Sequence, residues 1–195
     1  MPNCTAQSLG GFQIEHQFHI SPNGNANCRR HRLAEDRKVE QMSYDAFKVV
    51  HLFGVVIFLG NIIVTALWKA MADRTGDPRI IGYAQRLVTL TDWIFTAGGV
   101  AFVVVGAYGM AFVAGLDLRS TTWLVWGQAL LVISGLIWVC ILVPTQIAQA
   151  RQARVFAEGG LIPDSYWRHN RRWVIWGVIA TVVPLTNLYI MVFKP

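Results

Sequence analysis

Four long runs free of Asp, Glu, Lys and Arg divide the chain: Val49–Trp68, Trp93–Leu116, Ser120–Ala150 and Trp173–Phe193. At about 1.5 Å rise per helical residue, each is long enough for the ~30 Å apolar core of a bilayer. A surface helix of a soluble protein would interleave these positions with a polar face, and none of the four has one. The pattern predicts four membrane crossings, at about 47–69, 91–116, 122–147 and 172–193.

Each run carries a stripe of another character. In the first, His51, Gly54, Phe58, Asn61 and Thr65 recur at alternating spacings of three and four, so they share one helix face. Lipid offers nothing to an imidazole or a carboxamide, and this face is expected to turn toward protein. The second stripe is Asp92, Thr96, Gly99, Val103, Gly106 and Met110. The third includes Gly127, Ser134, Trp138 and Thr145, and the fourth Gly177, Ala180, Pro184, Asn187 and Met191. Their small residues let neighbouring helices approach closely. Pro144 is expected to bend the third helix, and Asn187 to bond carbonyls that Pro184 frees.

The connecting segments carry helix punctuation. In TGDP, Asp77 suits a cap and Pro78 the first helical position. The second helix is expected to begin in water, pass Arg79 and Arg86, and enter the membrane near Asp92-Trp93. The third continues past the membrane through QIAQARQARVFAE until Gly159-Gly160 stops it, and Asp164 is expected to cap the fourth. The expected fold is all-α: an integral membrane four-helix bundle, with helices 2, 3 and 4 extended on the cytoplasmic side.

Charge orients the bundle. The chain has 195 residues, a net charge of +6 and a mean hydropathy of +0.41. Leaving aside the N-terminal tail, most of its cations gather at one end of the spans. Loop 1 holds Lys69, Arg74, Arg79 and Arg86; loop 3 holds Arg151, Arg154, Arg168, Arg171 and Arg172; loop 2 holds only Arg119. The positive-inside rule puts loops 1 and 3 in the cytoplasm, and loop 2 and the C-terminus outside. Basic residues so distributed mark membrane topology, and no nucleic-acid partner is expected.

Residues 1–41 differ: they are polar, with the mixed-charge run RRHRLAEDRKVE, and read as a disordered or weakly helical tail. They contain no signal-peptide core. Their cations conflict with an external N-terminus, which a true translation start at Met42 would resolve; residues 42–195 then form the bundle. Cys4 and Cys28 could pair in an extracytoplasmic tail, while Cys140 reads as an apolar filler. Cys28, His16, His19 and His31 match no standard zinc spacing.

The segments RTGDPRIIGYAQRLVTLTDWIFTAGG, LIPDSYWRHNRRW and the closing MVFKP resemble a bacterial family of predicted integral membrane proteins, domain of unknown function 2269. The resemblance covers about Tyr44 to Pro195 and implies four spans, a bacterial inner-membrane location and no assigned activity. More distantly, KVVHLFGVVIFLG is similar to the His-bearing first helix of copper-resistance D proteins and HemJ-type protoporphyrinogen oxidases. Those families have an apolar-Trp-apolar-Gly step where this chain has Phe58-Leu59-Gly60.

Among candidate chemical groups, His51 stands first, as a ligand for haem b or a copper-like ion. Met110 and Met191 lie at similar depth and are its expected partners. Asn61, ~15 Å deeper, is expected to bond between helices or to contribute to a cofactor site. Asp92 has two readings, a proton-relay carboxylate and, favoured over it, a structural group at the entrance of the second helix that pairs with Arg86 or an arginine of the fourth helix. Trp167, Arg168, Arg171, Arg172 and Trp173 read as a lipid-interface belt. No Walker loop, nucleophile elbow, HExxH or Rossmann fingerprint occurs, so no catalytic residue is assigned. The sequence favours a non-catalytic bundle acting as partner or accessory subunit, in a larger complex or a homo-oligomer. A haem- or quinone-binding redox protein and a small-cation transporter are the alternatives.

Overall fold

The computed structural model describes residues 22–194. Four long helices make the fold: α1 (Pro22–Thr75), α2 (Pro78–Val113), α3 (Thr122–Phe156) and α4 (Asp164–Phe193). Each is long and apolar enough to cross a membrane, and the large apolar side chains that remain exposed spread over their outer faces. That is the inverse of a soluble helix and the arrangement a hydrocarbon solvent favours. Loops 1 and 3, with nine Lys/Arg between them, make one end of the bundle its basic end.

The helix boundaries follow local chemistry. Asp77 accepts a hydrogen bond from the Arg79 backbone N–H (2.8 Å), and Pro78 opens α2, both as expected. Asp164 is instead the first residue of α4, behind Pro163, and makes no side-chain cap; a carboxylate in the first turn still complements the helix dipole. Loop 2 closes on Asp117, which accepts from the Arg119 N–H (2.9 Å) and the Ser120 hydroxyl (2.8 Å). These bonds hold its carboxyl below the usual carboxylate range. At the N-terminal side α1 starts well before Tyr44, because residues 30–41 are mostly good helix formers. Bonds one turn apart support it, from Gln41 to Asp45 (3.1 Å) and from Ser43 to the Val39 carbonyl (2.9 Å). Its side chains from Arg29 to Met42 are exposed. Cys4, His16 and His19 lie outside the described residues, and with them the pairing and zinc readings of the tail.

The expected stripes turn inward. On α1 the buried positions between His51 and Thr65 are Gly54, Phe58 and Thr65, all members of the stripe. α1 packs along the length of α2, and α3 along α4. The basic halves of α2 and α3 join the two pairs, whereas α1 and α4 barely meet. The α1–α2 seam depends on glycine. A Cβ at Gly106 would lie 2.6 Å from His51 Cα, and one at Gly54 2.7 Å from the Gly99 carbonyl oxygen.

Two irregular turns mark the interior. α2 widens to a single π-turn over Asp92–Thr96, and α3 over Trp138–Leu142. The second precedes Pro144, which has no N–H to give the carbonyl four residues back. Pro184 frees the Ala180 carbonyl of α4 in the same way, and the Ser134 hydroxyl of α3 caps it at 3.3 Å. Asn187 does not serve that carbonyl; its Nδ2 donates across the helix pair to the Gly127 carbonyl (3.2 Å).

Gly106→Ala is expected to force α1 and α2 apart and to destabilise the bundle by about 1–3 kcal/mol. Gly60→Ala, where an added methyl meets nothing within 4 Å, should be neutral or stabilising. Unfolding titrations in mixed detergent micelles compare the two, and equal behaviour would contradict the seam.

Candidate functional site

The four residues singled out for cofactor binding separate into two places. His51, Met110 and Met191 all line one chamber of about 170 Å³ in the loop 2 half of the bundle. Asn61 is not there. It lies toward the basic end, donating from Nδ2 to Asp92 Oδ1 (2.8 Å) and to the Thr96 hydroxyl (2.9 Å).

At His51, ring Nδ1 lies 2.9 Å from the Val103 carbonyl oxygen. A carbonyl only accepts, so Nδ1 carries the hydrogen, and in the neutral ring Nε2 keeps its lone pair. Metal-binding histidines are oriented by the same kind of contact. The chamber is nevertheless small. Sites for drug-sized ligands span roughly 300–1,000 Å³, so a porphyrin, which is of that size class, does not fit beside His51 as the helices stand. A single ion does. Asn187 also lines this chamber, and its Oδ1 is buried without a partner.

The second space is larger, about 710 Å³, and is walled by all four helices. Phe58, Val100 and Leu131 border both spaces. Most of its lining is apolar, and its polar groups include Asp92, Thr96, Thr65, Ser134 and Trp138. Asp92 and Trp138 each begin one of the two π-turns, a feature that recurs at functional sites. Trp138 packs edge-to-face on Trp93 (5.6 Å between ring centroids), and its buried indole Nε1–H has no acceptor. Asp92 is 8% exposed and accepts from Asn61, Thr96 and the Gln146 side chain of α3. The expected arginine partner is absent. Arg86 sits on another face of α2 and is exposed; neutral amides satisfy the carboxylate in its place.

A third cluster closes the basic end. Lys69, 2% exposed, donates to the Tyr166 hydroxyl (2.8 Å) and lies 3.5 Å from Asp73. The Tyr166 hydroxyl donates to Asp73 Oδ1 (3.1 Å), Asn170 donates to Asp73 Oδ2 (2.8 Å), and Gln149 donates to Asn170 (3.3 Å). The cluster ties α1, α3 and α4 together, and the sequence reading missed it. Lys69 reads in the sequence as a loop charge. The signal is the spacing Tyr166, Asn170, Trp173, which puts the three on one face of α4. Trp173 accordingly leaves the expected lipid belt: it is partly buried, lines the larger cavity and lies 5.8 Å from the Lys69 ammonium. Trp167, Arg168, Arg171 and Arg172 are exposed. Among the described residues no group of three or more His, Cys, Asp or Glu side chains converges.

Lys69→Met leaves Asp73 partly buried without its cation and is expected to cost on the order of 3 kcal/mol, with Lys69→Met/Asp73→Asn recovering a large part. Denaturant titration of both variants in detergent checks this. A double variant no more stable than the single one would show that the pair is not the source.

Comparison with known proteins adds one finding. No curated protein and no solved structure matches the chain. A family model described as "Predicted integral membrane protein (DUF2269)" matches residues 45–195, which take in most of α1 from its apolar run onward and all of α2, α3 and α4. The chain is a multi-pass integral membrane protein and belongs to the DUF2269 family.

Proposed function

We propose that the protein is a membrane-embedded binding bundle for a lipid-soluble molecule with a hydrogen-bond-accepting head, of the quinone class. The observation that carries this reading is the cavity of about 710 Å³ walled by all four helices. Its volume falls within the range of small-molecule sites, which are mostly apolar with a few placed polar groups. Trp138 lines this cavity and its buried Nε1–H has no acceptor; a turn of the ring toward the space would offer it to a ligand carbonyl. The sparse α1–α4 contact leaves a lateral way in from the lipid, the phase in which such a ligand dissolves.

In this reading the bundle sits in the bacterial cytoplasmic membrane with its basic end inward, supported by the nine Lys/Arg of loops 1 and 3 against one in loop 2. It acts as a partner or accessory subunit that presents its ligand to a larger complex or a second copy. Binding rather than catalysis is its role.

Solvent extraction of the protein purified in mild detergent is expected to release a lipid-soluble quinone-type molecule at near-stoichiometric amount. Trp138→Phe removes the donor and should weaken retention about tenfold, the equivalent of one hydrogen bond. Gly177→Leu, on the cavity wall where an added carbon meets nothing within 4 Å, should fill the space and abolish binding. Wild-type protein that takes up no quinone even when saturated with it would sink the reading.

A second reading rests on a separate observation, the fixed Nε2 lone pair of His51 in a chamber it shares with Met110 and Met191. Imidazole and thioether form a soft donor set for a monovalent copper-like ion. Titration with Cu(I) or Ag(I) should show one site, lost in His51→Ala. No stoichiometric binding in the wild type ends this reading and leaves the first untouched.

A further inference from the structure

Asp92 is an ionisable group inside a span, and such groups are rare enough to ask what they serve. Three neutral side chains donate to it, and no cation reaches it from any helix packed around it. On α1 the nearest charged groups are Lys69 and Asp73, which are committed to each other and to Tyr166. On α2 Arg86 is exposed, and on α3 so are Arg151 and Arg154. From α4 the cavity receives Trp173 and Thr181, neither of which titrates as an acid or base at ordinary pH.

Between Asp92 and the basic end lies a run of buried amides. Gln146 donates to Asp92, and one turn further along α3 Gln149, 0% exposed, donates to Asn170, which donates to Asp73. Gln85, 1% exposed, stands two turns before Asp92 on the facing helix α2. Both amide atoms of Gln85, and the Oε1 atoms of Gln149 and Gln152, are buried without a protein partner. Buried polar groups are satisfied by protein or by ordered water. Four such atoms on α2 and α3 are left for ordered water to satisfy. Asp73, with 12% of its side chain exposed, reaches the aqueous edge. Toward the loop 2 end the lining changes: beyond Thr96 the shared border of the two cavities is Phe58, Val100 and Leu131, all apolar.

We propose that the amides of Gln85, Gln146, Gln149 and Gln152 line a hydrated path that gives Asp92 access to protons from the basic end only, while Phe58, Val100 and Leu131 seal it from the other. Along it a proton moves by exchange between water molecules and the carboxylate, with no change of oxidation state. The path does not depend on any ligand in the central cavity.

The test is sided cysteine chemistry on the full chain with Cys4, Cys28 and Cys140 replaced by Ser, in right-side-out and inside-out vesicles. A charged, membrane-impermeant thiol reagent needs a hydrated thiolate, so Gln149→Cys and Thr96→Cys should react at least about tenfold faster than Val139→Cys on the lipid face. Both should react in the vesicle orientation opposite to the one in which Ser120→Cys in loop 2 is labelled. Thr96→Cys leaves Asp92 in place, and adding Asp92→Asn should slow its labelling as the charge that draws water is removed. If Gln149→Cys and Thr96→Cys stay unlabelled while Ser120→Cys reacts normally, there is no hydrated path. Labelling of Thr96→Cys from the Ser120 side shows that the apolar border does not seal. Either outcome overturns the proposal, and neither bears on quinone extraction.

Discussion

Hydrocarbon supplies no hydrogen bonds, and the arrangement of polar groups in this bundle follows from that constraint. His51 is bonded to the Val103 carbonyl, Asn61 to Asp92 and Thr96, Ser134 to the Ala180 carbonyl and Asn187 to the Gly127 carbonyl. Each of these contacts crosses between two helices. Apolar area does little to drive helices together when the surrounding lipid is equally apolar; close packing and cross-helix bonds do it. The glycines of the α1–α2 seam are what bring donor and acceptor within reach. Without them His51 would stand too far from Val103 to be held in one tautomer.

The two halves of the bundle solve the same constraint differently. The loop 2 half relies on backbone carbonyls as acceptors, and its chamber is small. The basic half relies on side chains in two networks, one of Asn61, Thr96 and Gln146 around the Asp92 carboxylate and one of Lys69, Asp73, Tyr166, Asn170 and Gln149. Near the junction α2 and α3 each widen by one π-turn, at Asp92 and at Trp138. A π-turn inserts a residue and rotates everything beyond it, which re-aims side chains toward the interior. That is a structural reason for the larger cavity to lie where it does.

Much of the fold was legible because lipid enforces simple rules. Length and charge exclusion set the four spans, and spacing set the face each turns inward; the members of all four stripes are buried or partly buried. The site was legible only in parts. Periodicity brought His51, Met110 and Met191 to one depth, and they do share a chamber. It could not show that Asn61 meets Asp92, since that depends on how far α1 slides along α2. Lys69 and Trp173 were misread for a physical reason. At a span boundary, hydropathy treats a lysine as a flank and a tryptophan as an anchor, and only the neighbouring helix decides whether either is buried. The π-turns left no mark in the sequence beyond Pro144.

The buried lysine also bears on what kind of molecule this is. If mechanical cohesion were the only requirement at the basic end, apolar side chains of equal volume would serve as well, because desolvating an ion pair offsets much of its attraction. Lys69, Asp73, Tyr166, Asn170 and Gln149 instead form a connected set of polar side chains that ends at Gln149, one helical turn from the Gln146 that donates to Asp92. A carboxylate held by neutral donors alone, at the wall of a cavity with one unpartnered indole N–H, is a poor choice for packing. It is a suitable one for a site where a lipid-soluble ligand and protons from one side of the membrane meet.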